Sequence, residues 1–163
     1  MRQATGKKTR SYVFRVSLGS SGRVWRRITL RSDQTLEDLH EAIFRAFDRY
    51  DEHLYSFYFP RPGARGRDRL RSADEYTHPY AAEEPPLLSY RVQRNAAKTR
   101  LASLPLRIGQ RFHYTFDFGD SWEHEITVEQ TDGPVGQRRY PSIIEKHGAS
   151  PPQYPEVEED EGL

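Results

Sequence analysis

From Tyr12 onward the chain alternates. Tyr12, Phe14, Val16 and Leu18 fall on one side and Val13, Arg15 and Ser17 on the other, which is the period-two pattern of a strand. Gly19-Ser20-Ser21-Gly22 supplies a turn, and Val24 to Leu30 reads as a second strand, so the two make a hairpin. Thr35 then opens a helix as its N-cap, with Asp38 three places on, close to a capping box. Leu36, Leu39, His40, Ile43 and Phe47 recur at helical spacing on one face, which predicts a helix to about Phe47 or Tyr50. Leu54 to Phe59 is a short aromatic strand.

Pro60 to Pro86 is rich in Arg, Gly, Pro and charge and reads as a long loop. Leu87 to Val92 suits an edge strand, and Asn95 to Leu104 has helix potential ended by Pro105. Alternation returns at Arg111 to Phe118, where Phe112, Tyr114, Phe116 and Phe118 face one way. After a turn at Gly119-Asp120-Ser121, Trp122, His124, Ile126 and Val128 continue a partner strand. The expected fold class is α+β: one mixed, mostly antiparallel sheet packed by one main helix. Its opening hairpin and Thr-capped helix are β-grasp-like. The expected organisation is a basic disordered arm over 1–10, a single α+β domain over 11–132 with the long Arg/Pro-rich loop at 60–86, and an irregular, Pro-rich and acidic tail over 133–163.

A chain of 163 residues can bury a sufficient core. Only 35% is apolar, yet ten Tyr, eight Phe and two Trp point to an aromatic core diluted by polar loops. The absence of cysteine excludes disulfides, zinc–thiolate sites and thiol catalysis. Met1 to Arg10 is basic and lacks the apolar stretch of a signal peptide, and no run approaches a membrane span. The expected location is cytoplasmic, with no membrane partner.

Charge is unevenly spread. Nine Lys or Arg and no acid lie between Met1 and Ser32, and Arg61, Arg65, Arg67, Arg69 and Arg71 crowd one loop against Asp68. The last eight residues hold five acids. Arg outnumbers Lys 21 to 4, which suits phosphate contacts. Lys7, Lys8, Arg10, Arg27, Arg65, Arg67 and Arg69 are therefore candidates for nucleic-acid binding. A solvated surface with a mobile tail accounts for the same charges.

Side-chain parity places three polar residues on apolar faces: Arg26 with Val24 and Ile28, His40 on the helix stripe, and His124 with Trp122 and Ile126. Buried polar groups need partners. One reading is a polar pocket of Arg26, His40, Asp120 and His124, with Asp117 near by, able to bind an anion or metal or to do acid–base work. The other is structural: an Arg–Asp pair holding the hairpin turn and one hydrogen bond for each His. His40, His53 and His124 form no H-x-H or H-x-x-x-H unit, so no metal and no cofactor is assigned. Asp117-Phe118-Gly119 resembles the kinase metal-binding triplet, but no Gly-rich phosphate loop or H-R-D loop accompanies it. Gly119 is instead expected to supply a positive φ at the turn.

Four motifs stand in order: Val24-Trp25-Arg26-Arg27-Ile28, Thr35-Leu36-x-x-Leu39-His40, His53-Leu54-x-x-Phe57, and Tyr114-x-x-Asp117-Phe118-Gly119-Asp120-Ser121-Trp122-Glu123-His124. Together, over about Tyr12 to Gln130, the chain resembles the plasmid pRiA ORF-three-like family, whose members are also labelled insertion-element passenger proteins with a resolvase-type name. The resemblance implies a shared fold and an association with plasmids and mobile elements. It makes Arg26, Arg27, His40, His53, Asp117, Asp120, Trp122 and His124 the motif-matched candidates. Many members carry a Cys-containing, Pro-rich segment near the C-terminus. Here Ala149-Ser150-Pro151-Pro152-Gln153-Tyr154 stands there without Cys. The resolvase label finds no helical dimer arm or helix-turn-helix in this chain. The leading expectation is a non-enzymatic binding module for nucleic acid or a protein partner. The alternatives are a metal-dependent hydrolase using His40, Asp117, Asp120 and His124, and a protein-interaction domain whose acidic tail shields its basic face.

Overall fold

The structure, a computed structural model, describes residues 8–83 and 92–155. The alternation read from the sequence sets its sheet. In β1 (Ser11–Leu18) Tyr12, Phe14 and Val16 are buried, and in β2 (Trp25–Arg31) Arg26, Ile28 and Leu30 lie on the same inner face. α1 (Leu36–Ala46) packs on that face through Leu36, Leu39, Ile43 and Ala46. Its capping box forms as expected: the Thr35 hydroxyl accepts from the Asp38 N–H, and the Asp38 carboxylate accepts from the Thr35 N–H.

Beyond α1 come β3 (Tyr55–Phe59), α2 (Asp68–Arg71), β4 (Asp74–Thr77), α3 (Pro79–Glu83) and β5 (Gln93–Asn95). Two short 3₁₀ turns, Ala96–Lys98 and Leu101–Ser103, lead to β6 (Arg111–Phe116), β7 (Trp122–Gly133) and β8 (Ser142–His147). The strands make one eight-stranded sheet in the order β5-β4-β3-β6-β7-β1-β2-β8. Every neighbouring pair is antiparallel except β4 and β5. The fold is α+β with one mixed sheet. The opening hairpin and capped helix are present, and β7 then pairs antiparallel with β1. Inner-face aromatics fill the core: Phe59 stacks on Phe112, which meets Phe14 edge-on. The other face carries Arg15, Arg27, Thr127 and Glu129, all half-exposed. No helix among the described residues is long and apolar enough to cross a membrane.

Several expectations are corrected. The 60–86 segment is not one loop, since it holds α2, β4 and α3 as far as Glu83. The strand expected over Leu87 to Val92 falls almost wholly outside the described residues, as do Lys7, most of the N-terminal arm and the acidic end of the tail. The helix expected over Asn95 to Leu104 is broken into two 3₁₀ turns. Between them Thr99 and Arg100 extend beside the start of α1, where Leu36 N–H donates to Thr99 and Leu101 N–H to Gln34. The stretch after Gly133 is not irregular throughout, because β8 covers the open side of β2. Phe118 is exposed rather than inward, because β6 ends at Phe116 and Asp117 turns the chain with a φ of 62°.

That turn is also built differently from the expectation. Gly119 does not take a positive φ, whereas Asp117 and Ser121 do. Asp117 Oδ1 accepts from the N–H groups of Gly119 (3.0 Å) and Asp120 (3.2 Å). An aspartate tolerates the left-handed region because its carboxylate can hold the backbone this way.

Candidate functional site

Tyr114, fully buried on β6, is where two of the motif residues, His40 and His124, meet. Its hydroxyl lies 2.6 Å from His40 Nδ1, and His40 Nε2 lies 3.4 Å from Glu52 Oε2. Glu52 accepts at Nε2, so the neutral ring carries its proton there and Nδ1 accepts from the Tyr114 hydroxyl. The hydrogen bond from His40 holds the Glu52 carboxyl below its ordinary range. Burial holds the Tyr114 hydroxyl well above its own. The His40 ring also stacks on Tyr55, with centroids 3.7 Å apart.

His124 sits across from Tyr114 in the β6–β7 ladder and is 1% exposed. Its Nδ1 lies 3.3 Å from the Tyr114 carbonyl oxygen. A carbonyl only accepts, so Nδ1 bears the proton and Nε2 is left with a lone pair. Burial pushes its pKa down to about 3. The unfolded chain therefore binds a proton at His124 between about pH 6.5 and 3 that the folded chain does not. This contribution is fully present above about pH 6.5 and falls by up to about 1.4 kcal/mol per pH unit as the pH drops through that window. Urea midpoints followed from pH 7 to pH 4 should fall less steeply in His124→Gln than in the wild type. Identical slopes would show that His124 is not held neutral.

Arg49 closes this end of the core. It is 6% exposed and donates from Nη1 to the Pro151 carbonyl, and its guanidinium lies 4.1 Å from the Trp122 ring centroid. Arg49 Nε and Nη2, Trp122 Nε1 and His124 Nε2 are all buried without a protein partner among the described residues.

The pocket of Arg26, His40, Asp120 and His124 is not assembled. Arg26 is buried, but its partners are carbonyls. Nε donates to Ala46, and Nη1 donates to Trp25 and His147, all at 2.9 Å. The electronegative C-terminus of α1 takes the place expected for an Asp, and burial lowers the Arg26 pKa. Asp120 is exposed and gives the turn only its N–H. Among the described residues the Arg–Asp pair expected to hold the turn does not form, and the Asp117 carboxylate holds the turn instead.

Asp117 and His53 do meet. His53 Nε2 lies 3.5 Å from Asp117 Oδ2, 3.9 Å from Asp51 Oδ2 and 2.8 Å from the Tyr154 hydroxyl. The Tyr154 hydroxyl donates to Asp51, which raises its pKa to about 12. Beside it, Gln153 Oε1 accepts from the N–H groups of Tyr50 and Asp51, and Nε2 donates back to the Asp51 carbonyl. The segment after β8 is thus a strap across the exit of α1. Sequence reasoning missed Arg49, Glu52, Gln153 and Tyr154. The described residues gather no group of three His, Asp or Glu that could hold a metal ion.

A second region lies at the other end of the sheet. A groove of about 760 Å³ opens between the β3–α2 segment, β4 and the loop before β6. Arg61, Arg69, Arg107 and Arg111 line it against a single carboxylate, Asp74, and Phe59, Tyr76, Leu104, Pro105 and Leu106 supply its apolar surface. Arg61 lies 3.5 Å from Asp74 and Arg111 3.5 Å from Glu125, both as exposed pairs. Of the expected phosphate contacts, Arg69 lines this groove, Arg65 and Arg67 are exposed beside it, and Lys8 is exposed at the chain's start. Arg10 instead donates to the Tyr12 hydroxyl. Arg27 is clasped by Glu129 and Glu145 on the sheet's outer face, so its charge is neutralised there.

Comparison with known proteins fits this architecture. The chain is 32% identical over 130 residues to the uncharacterized protein y4hQ of Sinorhizobium fredii, covering 80% of this chain and 58% of that protein's length. The chain thus spans less than two thirds of this relative. A crystal structure of a protein of unknown function from Methanosarcina mazei Go1 superposes with a TM-score of 0.68 at 24% identity, over 89% of this chain and 73% of the other, which is a likeness of fold. Residues 10–156 match the plasmid pRiA4b ORF-3-like proteins, a span that takes in β8 and the strap as well as the motifs around Tyr114. The chain belongs to the plasmid pRiA4b ORF-3-like protein family.

Proposed function

We propose that this chain is a nucleic-acid-binding module and that the arginine-lined groove is its contact face. One observation carries the reading: four arginines from two stretches of chain far apart in sequence, 61–69 and 107–111, converge on a concave surface with one carboxylate and an aromatic, apolar lining. Such a surface attracts phosphates through charge-assisted, planar contacts and gains from releasing the counterions around them. The hydrolase reading draws less support. His40 bonds Tyr114, Asp117 holds a turn, Asp120 is exposed and His124 lies inside the core.

The test is fluorescence anisotropy with a labelled oligonucleotide across a salt series. Wild-type affinity should fall steeply with salt. The Arg69→Ala/Arg107→Ala variant should bind more weakly, with a salt slope shallower by about 0.7–0.9 for each phosphate it no longer neutralises. Equal affinity and slope in the two proteins would place any binding elsewhere.

A further inference from the structure

We infer that the groove takes an unpaired strand, with bases on its apolar surface and phosphates along its arginine rim; this deepens the nucleic-acid reading and rests on it. The argument is one of shape and chemistry. A duplex keeps its base faces stacked and presents a convex phosphate surface, and proteins read it by inserting a helix or ribbon into the major groove. The described residues of this region offer no such projection. It is a concavity whose apolar part is Phe59 and Tyr76 from the sheet and Leu104-Pro105-Leu106 from the loop before β6. Phosphates alone give such a surface nothing to bury.

An unpaired strand exposes both of its chemistries at once. Base faces stack on aromatic and guanidinium planes, and the backbone tracks a positive groove. Tyr76 is placed for this role: it is half-buried, with Phe59 at its edge (5.4 Å) and the Arg94 guanidinium 5.6 Å from its centroid. Arg61 and Arg111 are about two-thirds exposed, and Arg107 is exposed as well. These rim guanidiniums are accessible to phosphates and to base faces. The groove's volume lies within the range of sites that enclose small organic ligands, so there is room for a base to enter.

The experiment compares three probes by anisotropy or competition at one moderate salt concentration: a mixed-sequence, hairpin-free single-stranded oligonucleotide, the same sequence as a duplex, and heparin. Two variants are run beside the wild type. Tyr76→Leu removes the stacking ring. Pro105→Glu, at an exposed loop position outside the sheet, places a carboxylate in the groove and serves if Tyr76→Leu fails to fold by circular dichroism. The expected result is single-strand binding at least tenfold tighter than duplex binding. Tyr76→Leu should weaken single-strand binding about tenfold and leave heparin binding unchanged. Pro105→Glu should weaken single-strand binding by more than duplex binding.

Duplex binding as tight as single-strand binding would overturn this inference and leave the nucleic-acid reading standing. So would single-strand and heparin binding of equal strength that ignores both variants. No binding of either nucleic acid would overturn both.

Discussion

Phe112→Ala should lower the unfolding free energy by about 3–5 kcal/mol, the range for deleting a buried aromatic ring. Phe112 is fully buried on β6, near the middle of the sheet. It stacks on Phe59 with centroids 4.4 Å apart, meets Phe14 edge-on at 5.9 Å and lies 6.3 Å from Phe57. It therefore joins the β1–β2 side of the core to the β3 side. The lining of the groove depends on it as well, since Phe59 is held by this stack. Phe118, which shares the alternation of Phe112 in the sequence, is the control: it is 46% exposed, so Phe118→Ala should stay within about 0.5 kcal/mol. Urea denaturation of both variants measures the difference. Similar losses at the two sites would mean that β6 does not end where the structure ends it.

Arg26→Ala should cost about 2–4 kcal/mol, the scale for stranding buried polar partners, and it should do so without affecting nucleic-acid binding at the groove. The loss follows from what Arg26 holds. Its guanidinium satisfies the Ala46 carbonyl at the end of α1 and the His147 carbonyl at the end of β8, and it lies 5.1 Å from the Phe47 ring centroid. Removing it leaves the buried Ala46 carbonyl without this donor and takes a tie from the His147 carbonyl, which is costlier than losing a surface ion pair. Hydrogen exchange at the β8 amides should accelerate, because among the described residues β8 lies at the sheet edge and pairs only with β2. If Arg26→Ala were stable and lost oligonucleotide binding instead, the structural assignment of Arg26 would fail.

Much of this fold was legible in the sequence, for local reasons. The Tyr12-Phe14-Val16 alternation, the Thr35–Asp38 capping box and the Leu36-Leu39-Ile43 stripe each encode their element within a few residues, and each forms as read. β8 was not legible, because an edge strand needs no buried face. Its residues are half-exposed or exposed, and it exists through backbone pairing with β2. The 3₁₀ turns replaced a helix for a similar reason, since the bonds that hold Thr99 and Leu101 beside the start of α1 come from residues more than sixty positions earlier.

The polar residues divide in the same way. Parity correctly put Arg26, His40 and His124 on the inner face, where each is at most 3% exposed. It could not say which of them meet. His40 finds Tyr114 and Glu52, and Arg26 finds the end of α1, while the nearest acids in sequence, Asp117 and Asp120, serve the turn. Gln153 and Tyr154 carried no signal because Pro-Pro-Gln-Tyr has no periodicity, and their partners lie about a hundred residues away. The crowded arginines at 61–71 were visible as charge. Their alignment with Arg107 and Arg111 depends on β3 and β6 being neighbours.

The most direct test of the groove as the contact face is a two-dimensional amide NMR titration of the full chain with a short unlabelled oligonucleotide. The account predicts that shifts concentrate at Arg69, Tyr76, Arg107, Gly109 and Arg111. Shifts confined to the outer face around Arg15 and Trp25, or to the His53–Tyr154 strap, with the groove silent, would contradict it.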